Sequence, residues 1–421
     1  MRRSFVKAKR TVRGIQRVDM AYAEVASSGT SRNINRDVVL ELVRVHQPIS
    51  RAEVSRLSGL QRSTVSSIAQ QLIEERWVCE GAVGKLPRGR RPTMLVLNDD
   101  LVVMVVDIHP KRANVAVVNL KGHFLSRSSL PLVPSAALAI EDIVACMDRM
   151  KHACPKKRFE GIGVSLPGRV DPITQRLIFA PNLNWPEVDI KKLLERRMGL
   201  PVELDNAANA GLLAEMWFGA MDGVRNAVLV TISEGIGTGI LANGQLVTGR
   251  SGMAGEFGHM LMDPRGPACS CGGSGCWETF ASSRAALRYY AEFSSEPKSI
   301  VIHELLALAS EGDVHATNAL MKQARYIGKG LRNIDAALAP ELIFLAGDIT
   351  AAWESLSPFI EAEMDILSAA SPRARIAPAY EGDEARLRGA AALVLQRHAG
   401  HPVAPSHSPR TKVPNKSVSK R

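Results

Sequence analysis

Residues 256–278 read EFGHMLMDPRGPACSCGGSGCWE. Cys269, Cys271 and Cys276 fall close together, His259 stands upstream of them, and Glu256 and Glu278 close the stretch at its two ends. Thiolate and imidazole are the ligands that zinc takes in a tetrahedron. Three Cys and one His fill all four positions and leave none for an activated water, so the spacing predicts a structural zinc rather than a catalytic one. The Cys-x-Cys pair and the Gly272-Gly273 turn let a short loop fold back on one ion. The plain alternative is three buried free thiols.

The chain around this stretch has 421 residues, room for one to three domains and a full core. Its hydrophobic fraction of 46% is that of a globular protein. A net charge of +11, much of it at the two ends, suits a polyanionic partner. Cys79, Cys146 and Cys154 are scattered while the other three cluster; this favours a metal site in a reducing compartment over a disulfide scaffold, and so a cytoplasmic protein. No apolar run approaches the roughly 18 residues of a membrane span, so no membrane partner is expected. The basic start, MRRSFVKAKRTVRGIQR, lacks an apolar segment and is not a secretory signal. It loosely resembles an Arg-rich transit peptide, and a solvated basic arm over residues 1–32 is the preferred reading.

Residues 33–98 form a small compact unit by pattern. Arg36–His46 is a helix with Val38, Val39, Leu42 and Val43 on one face, broken by Pro48. Ser50 caps a second helix, with Glu53 at the capping-box position, and that helix presents Val54 and Leu57. Ser58-Gly59-Leu60 is a turn. A third helix points Val65, Ile68 and Leu72 inward. Its outward side begins Gln61-Arg62-Ser63-Thr64 and continues with Ser66 and Ser67. Two helices joined by a short Gly turn, the second opening with short polar and basic side chains, fit a helix-turn-helix that reads double-stranded DNA in the major groove. Trp77-Val78-Cys79 and Met94–Leu97 pair as a hairpin wing. The arginines of its loop, Arg88, Arg90 and Arg91, are flanked by Gly and Pro and suit a narrow minor groove. An ordinary three-helix bundle with a solvated basic loop is the alternative.

From residue 101 the pattern changes. Leu101–Ile108, Ala113–Leu120, Gly161–Leu166, Val228–Ile232, Ile240–Leu241 and Leu342–Ala346 read as strands, with helical stretches such as Ile140–Met150 between them. That alternation makes residues 99–397 an α/β domain in two lobes. Residues 398–421 lack apolar periodicity, are rich in Pro, Ser and Lys, and read as a disordered basic tail.

The run Gly252-x-x-Gly255-Glu256-x-Gly258-His259, followed by Cys-x-Cys-Gly-x-x-Gly-Cys and Cys276-Trp277-Glu278-Thr279, resembles the signature of the ROK family of repressors, open reading frames and sugar kinases. Gly161-Ile-Gly-Val-Ser-Leu-Pro-Gly168, Pro181-Asn182-Leu183 with Trp185, and Gly235-Ile-Gly-Thr-Gly239 agree with it. The likeness covers residues 101–397, and the winged helix with Gly89-Arg90-Arg91-Pro92 is similar to that of the family's transcriptional repressors. It implies an actin-like, hexokinase-like (ribonuclease H-like) fold of two lobes about a cleft. It also implies a sugar pocket made of Glu256, His259, Glu278 and Asn206, with Gly168 and Asn182 as weaker members. His259 would then serve twice, one ring nitrogen on zinc and the other towards a sugar hydroxyl.

The kinase chemistry of the family looks lost. The resemblance puts the catalytic aspartate of an Asn-Asp-Ala-Asn run at Ala207, which accepts no proton. Asp205 lies on the wrong side of an extended segment to replace it. The first phosphate loop reads Asp107-Ile108-His109-Pro110-Lys111, without the family's two glycines, and Pro110 removes an N–H donor. The second begins Ser233-Glu234-Gly235 and sets a carboxylate where a phosphate would sit. No ATP is expected. The expected function is a sugar-responsive repressor, a homodimer or homotetramer on a two-fold operator, with a small sugar as effector and a structural zinc ion. The alternatives are an ATP-dependent sugar kinase with an accessory DNA-binding domain, and a regulator that answers to a protein partner.

Overall fold

A computed structural model describes residues 28–83, 92–180, 183, 185, 188–219, 221, 223–294, 299–365, 373–379 and 382–397. The wing-loop arginines Arg88, Arg90 and Arg91, Asn182, most of the N-terminal arm and the whole tail lie outside the described residues.

The head opens with α1 (Ser28–His46). This helix is longer than the expected Arg36–His46 and takes in the end of the stretch read as arm. Apolar periodicity reports only the part of a helix that is buried, and among the described side chains of α1 the first buried one is Arg36. Val39, Leu40 and Val43 are buried and Leu42 half-buried, but Val38 is exposed, contrary to the reading from periodicity. β1 (Ile49–Ser50) leads into α2 (Arg51–Ser58). The Ser50 side chain accepts the Glu53 N–H at 3.2 Å, and the Ser50 N–H donates to Glu53 Oε2 at 3.0 Å, so the capping box forms as expected. Val54 is buried there, whereas Leu57, expected inward, is exposed. Gly59 takes the left-handed conformation (φ 72°) that turns the chain into α3 (Arg62–Glu74). β2 (Val78–Val83) and β3 (Thr93–Leu97) pair antiparallel and complete the wing.

Lobe 1 follows. β4 (Leu101–Ile108), β5 (Arg112–Asn119) and β6 (Phe124–Pro131) form an antiparallel meander. α4 (Ala136–Ala153) leads to β7 (Arg158–Leu166), which lies parallel to β4. A small hairpin, β8 (Arg169–Val170) and β9 (Leu177–Phe179), and α5 (Ile190–Met198) precede β10 (Val202–Asn206), parallel to β7. α6 (Ala207–Phe218) then crosses to lobe 2. There β11 (Ala227–Ile232), β12 (Ile236–Ala242) and β13 (Gln245–Leu246) make a second meander, with α7 (Glu278–Ala281), α8 (Ser283–Phe293), α9 (Ile302–Ser310) and α10 (Val314–Leu338) after it. β14 (Leu342–Gly347), α11 (Trp353–Met364), β15 (Arg375–Pro378) and α12 (Gly382–Gln396) end the domain.

The two sheets run β10-β7-β4-β5-β6 and β13-β12-β11-β14-β15. Each has three antiparallel strands and then two parallel ones, so one path is traced twice. This is the two-lobed, hexokinase-like plan. β4 is buried along its whole length because α4 and α5 cover one face of its sheet and α12 the other.

The head is not tethered by a free linker. Val39, Val43, Val54, Val65, Leu72, Trp77 and Leu95 share one apolar cluster with Leu101, Val103 and Val105 of β4 and Leu387 and Val394 of α12. Each such buried side chain contributes about 1.5–3 kcal/mol. Surface ion pairs contribute about 0–1 kcal/mol each. The apolar cluster therefore dominates the attachment.

Candidate metal centre and ligand cleft

The metal loop is a short hairpin. Leu261 bridges Cys276 and Ala268 bridges Ser274, and the Cys269 N–H donates to Gly273 O at 2.8 Å. His259 ends a 3-10 turn over Glu256–His259. The four donor atoms of His259, Cys269, Cys271 and Cys276 all lie within 4.8 Å of one another. Cys269 Sγ is 3.5 Å from His259 Nδ1, and Cys271 Sγ is 3.6 Å from Cys276 Sγ. A tetrahedron with Zn–S about 2.3 Å and Zn–N about 2.0–2.1 Å puts sulfurs about 3.8 Å apart and sulfur and nitrogen about 3.5 Å apart. The cluster fits an ion of that size and softness, and it could hold a metal such as zinc.

The thiols are tuned unequally. Burial, and then the Glu278 carboxylate beside it, push the Cys269 thiol up to about 12. Burial also raises Cys276, while the Gly273 N–H lowers Cys271. A bound cation reverses the first two effects, because it stabilises thiolate directly.

Glu278 is buried, at 7% exposure. Its Oε1 stands 3.1 Å from Cys269 Sγ and accepts from Ser270 Oγ at 3.2 Å. Its Oε2 accepts the Ile236 N–H at 3.4 Å. On the other side of the imidazole, His259 Nε2 lies 3.7 Å from Glu256 Oε2. Nδ1 thus faces the thiols and Nε2 faces Glu256. Three of the expected sugar-facing groups therefore meet at the metal cluster.

Asn206 lies elsewhere. It caps α6, its Oδ1 accepting the Asn209 N–H at 2.8 Å. β12 joins the two places. A side-chain carbon on Gly235 would come 2.8 Å from Glu278 Oε2, and one on Gly239 would come 2.7 Å from Ala208 O. The run Gly235–Gly239, which starts at the third residue of the second loop, thus lets β12 and the residue before it approach both the buried glutamate and the start of α6. Gly168 packs against Phe179 O and the Ala180 backbone with no room for a side chain. Ser270 escaped the sequence reading, since nothing in the pattern shows that a serine between two ligands holds the glutamate.

At the carboxyl ends of the lobe 1 strands, Ala207 opens α6, and Asp205 is extended in β10. The Asp205 carboxylate accepts from the Asn206 N–H at 2.6 Å and from Asn209 Nδ2 at 3.1 Å, and burial pushes it up to about 6. Asp107 is fully buried; it accepts from Ser165 Oγ at 3.0 Å and meets His109 Nε2 at 2.6 Å. The His109 ring therefore engages the aspartate of the first loop from inside that loop. Glu234 is exposed, and its carbonyl accepts from Arg284 Nε.

On the head, α3 turns Val65, Ile68, Ala69 and Leu72 inward. Gln61, Arg62, Ser63, Ser66 and Ser67 are exposed, and Thr64 is half-buried. The expected reading face is thus free of the core. Among the described residues no helix is long and apolar enough to cross a membrane.

A model of the ROK family matches residues 103–397. The chain is 34% identical over 332 residues to the xylose repressor of Bacillus subtilis, covering 77% of this chain and 85% of that protein. The structure of a ROK family transcriptional regulator, a homologue of the Escherichia coli MLC protein, superposes with a TM-score of 0.76 at 27% identity and covers 88% of this chain and 98% of its own. A ROK family glucokinase from Streptomyces griseus, in complex with glucose and AMPPNP, has a TM-score of 0.65 at 30% identity and covers 70% of this chain and 99% of its own.

Proposed function

The chain belongs to the ROK family, and on that premise we propose that it is a sugar-responsive DNA-binding transcriptional repressor whose kinase-like domain senses a sugar without phosphorylating it. The observation that carries this reading is the continuous core between a helix-turn-helix and the sugar-kinase-like domain, and the regulator's structure covers 88% of the chain where the glucokinase's covers 70%. Fold alone would not decide it.

Glu256, His259 and Glu278 offer acceptors and a ring nitrogen to the hydroxyls of one sugar face, and Asn206 offers an amide from α6. Zinc, held by His259, Cys269, Cys271 and Cys276, would supply a fixed anchor for the imidazole. With four protein ligands its role is structural. Two copies set two heads on a two-fold operator, where Arg62, Ser63, Thr64 and Ser66 face base edges with Gln61 and Ser67 beside them, and Arg88, Arg90 and Arg91 suit the minor groove. A thiolate metal site and a DNA partner belong together in a reducing compartment that holds the chromosome, and we assign the chain to the cytoplasm.

The similarity to glucokinases favours a second reading, a sugar kinase with an accessory head. Ala207 at the base position, Pro110 in the first loop and His109 against Asp107 all weigh against it.

The test is a titration onto the chain's own upstream intergenic DNA at fixed moderate salt, with and without D-xylose, D-glucose or N-acetyl-D-glucosamine. Specific binding that one sugar weakens supports the repressor. Specific binding indifferent to every sugar defeats the sugar-sensing half of the reading. Sugar-dependent ADP production defeats the claim that the domain is no enzyme.

A further inference from the structure

We infer that Arg44 is a positioning residue that carries the state of the sugar-binding domain into the DNA-reading head along α6. The inference rests on the repressor reading above and names the contact through which it works.

α6 has one end at each place. Asn206, proposed above as a sugar ligand, caps its start, and Trp217 lies in its last turn. Twelve residues at about 1.5 Å each span about 18 Å. Between its ends the helix is gripped backbone to backbone. A side-chain carbon on Gly239 of β12 would stand 2.7 Å from Ala208 O, and one on Gly389 of α12 would stand 1.9 Å from Ala210 O. Lobe 2 thus presses on α6 through one glycine and α12 through the other, with no side chain between to yield. If a sugar draws β12 towards lobe 1, α6 has to move as a rigid body, since close-packed interiors do not deform gradually.

The far end meets the head. The Arg44 guanidinium on α1 donates to Trp217 O and lies 5.7 Å from the centroid of the Trp217 ring. Trp217 O is among the last carbonyls of α6, which a helix leaves unsatisfied and where a cation is favoured. Glu41 holds the same guanidinium from α1 itself, at 2.6 and 2.8 Å. From α1 the displacement has a short path to the reading helix. Arg36 Nη2 meets Glu75 Oε2 at 2.6 Å, and Arg32 Nη2 donates to Gln71 Oε1 at 3.1 Å, both at the end of α3. A tilt of α6 therefore becomes a turn of α3, and a sugar that binds the two states unequally moves DNA affinity by the same factor.

The experiment measures, on the full chain, operator affinity without and with a saturating sugar from the same panel, the sugar's own affinity, and the thermal midpoint. Wild type, Arg44→Ala and Arg44→Lys are compared. In the wild type the ratio of operator affinities should fall in the range of about 5- to 150-fold usual for coupled sites. Arg44→Ala should bring it below about 2-fold while sugar affinity and midpoint stay near wild type. Arg44→Lys should recover part of it, because an ammonium can still donate to Trp217 O but does not stack as a guanidinium does. A wild-type ratio retained in Arg44→Ala overturns the inference and leaves the repressor standing. A wild type whose DNA affinity no sugar moves overturns the inference together with the sugar-sensing half of the reading it rests on.

Discussion

The indole of Trp277 fills the space in which a side chain on residue 330 would have to stand: a methyl carbon on Gly330 would lie 1.9 Å from its Cε2. Trp277 is fully buried, and its Nε1 donates to Tyr326 O at 2.8 Å, one turn earlier on α10. Cys276 and Glu278 are its neighbours in the chain. One buried ring thus pins a member of the candidate metal cluster and a proposed sugar ligand to α10 of lobe 2.

Gly330→Ala tests that peg. At an exposed helical site the change would stabilise by about 1 kcal/mol. Here the ring has to move, and overpacking costs about 1–3 kcal/mol. We expect a lower thermal midpoint together with weaker zinc retention, read by calorimetry and by metal analysis of the purified protein. A midpoint raised by the substitution would show that the ring gives way freely.

Cys269→Ser and Cys271→Ser should each lose zinc, and sugar affinity should fall with it, since His259 and Glu278 are both oriented at that loop. Metal uptake should also release protons. Cys269 and Cys276 hold theirs at neutral pH when metal-free, so about two or more protons should appear per zinc ion bound. Zinc affinity should therefore fall as pH falls. A pH indicator in weak buffer gives the count. Sugar binding that survives removal of zinc by a chelator would separate the loop from the pocket.

Asp205 should leave a mark on stability. Its folded-state value of about 6 lies above the ordinary 3.8, because burial disfavours the charge. The folded protein then binds this proton more tightly than the unfolded chain does, so the contribution is greatest below about pH 4 and is lost as pH rises towards 6. Asp205→Asn should remove that slope, making the difference in midpoint between wild type and variant change between pH 4 and 6 and level off above. A difference constant over that window would mean that Asp205 stays ionised.

On DNA, Arg62 and the wing should behave differently. Arg62 is exposed at the first turn of α3. Arg62→Ala should cost about 1–3 kcal/mol on the specific site and relax preference at one base pair. Arg90→Ala with Arg91→Ala should weaken specific and non-specific DNA alike and flatten the salt dependence. An unchanged salt slope in the double variant would remove the wing from the interface.

Much of this molecule is legible in its sequence, for identifiable reasons. The cluster of His259, Cys269, Cys271 and Cys276 is legible because three of its members lie in one short hairpin and the fourth just before it, so spacing along the chain is close to spacing in space. Leu101–Ile108 is read to the residue, since a strand covered on both faces is apolar without interruption. Val38 and Leu57 misled because a single apolar side chain on the surface looks the same in sequence as one in the core. The double duty of the run Gly235–Gly239 was hidden, because what it must approach, Glu278 and Ala208, comes from remote parts of the chain. So was the contact between Arg44 and Trp217, whose partners are 173 positions apart.

The core beneath the head is finished by the last helix. Val39, Val65 and Leu95 are made early on the ribosome, while Leu387, Ala390 and Val394, which share their cluster, are among the last described residues to emerge. A truncated product that ended before α12 would carry the DNA-reading surface without the floor that supports it. Folding of the head is therefore tied to the far end of the chain: its apolar underside stays uncovered until α12 has been made.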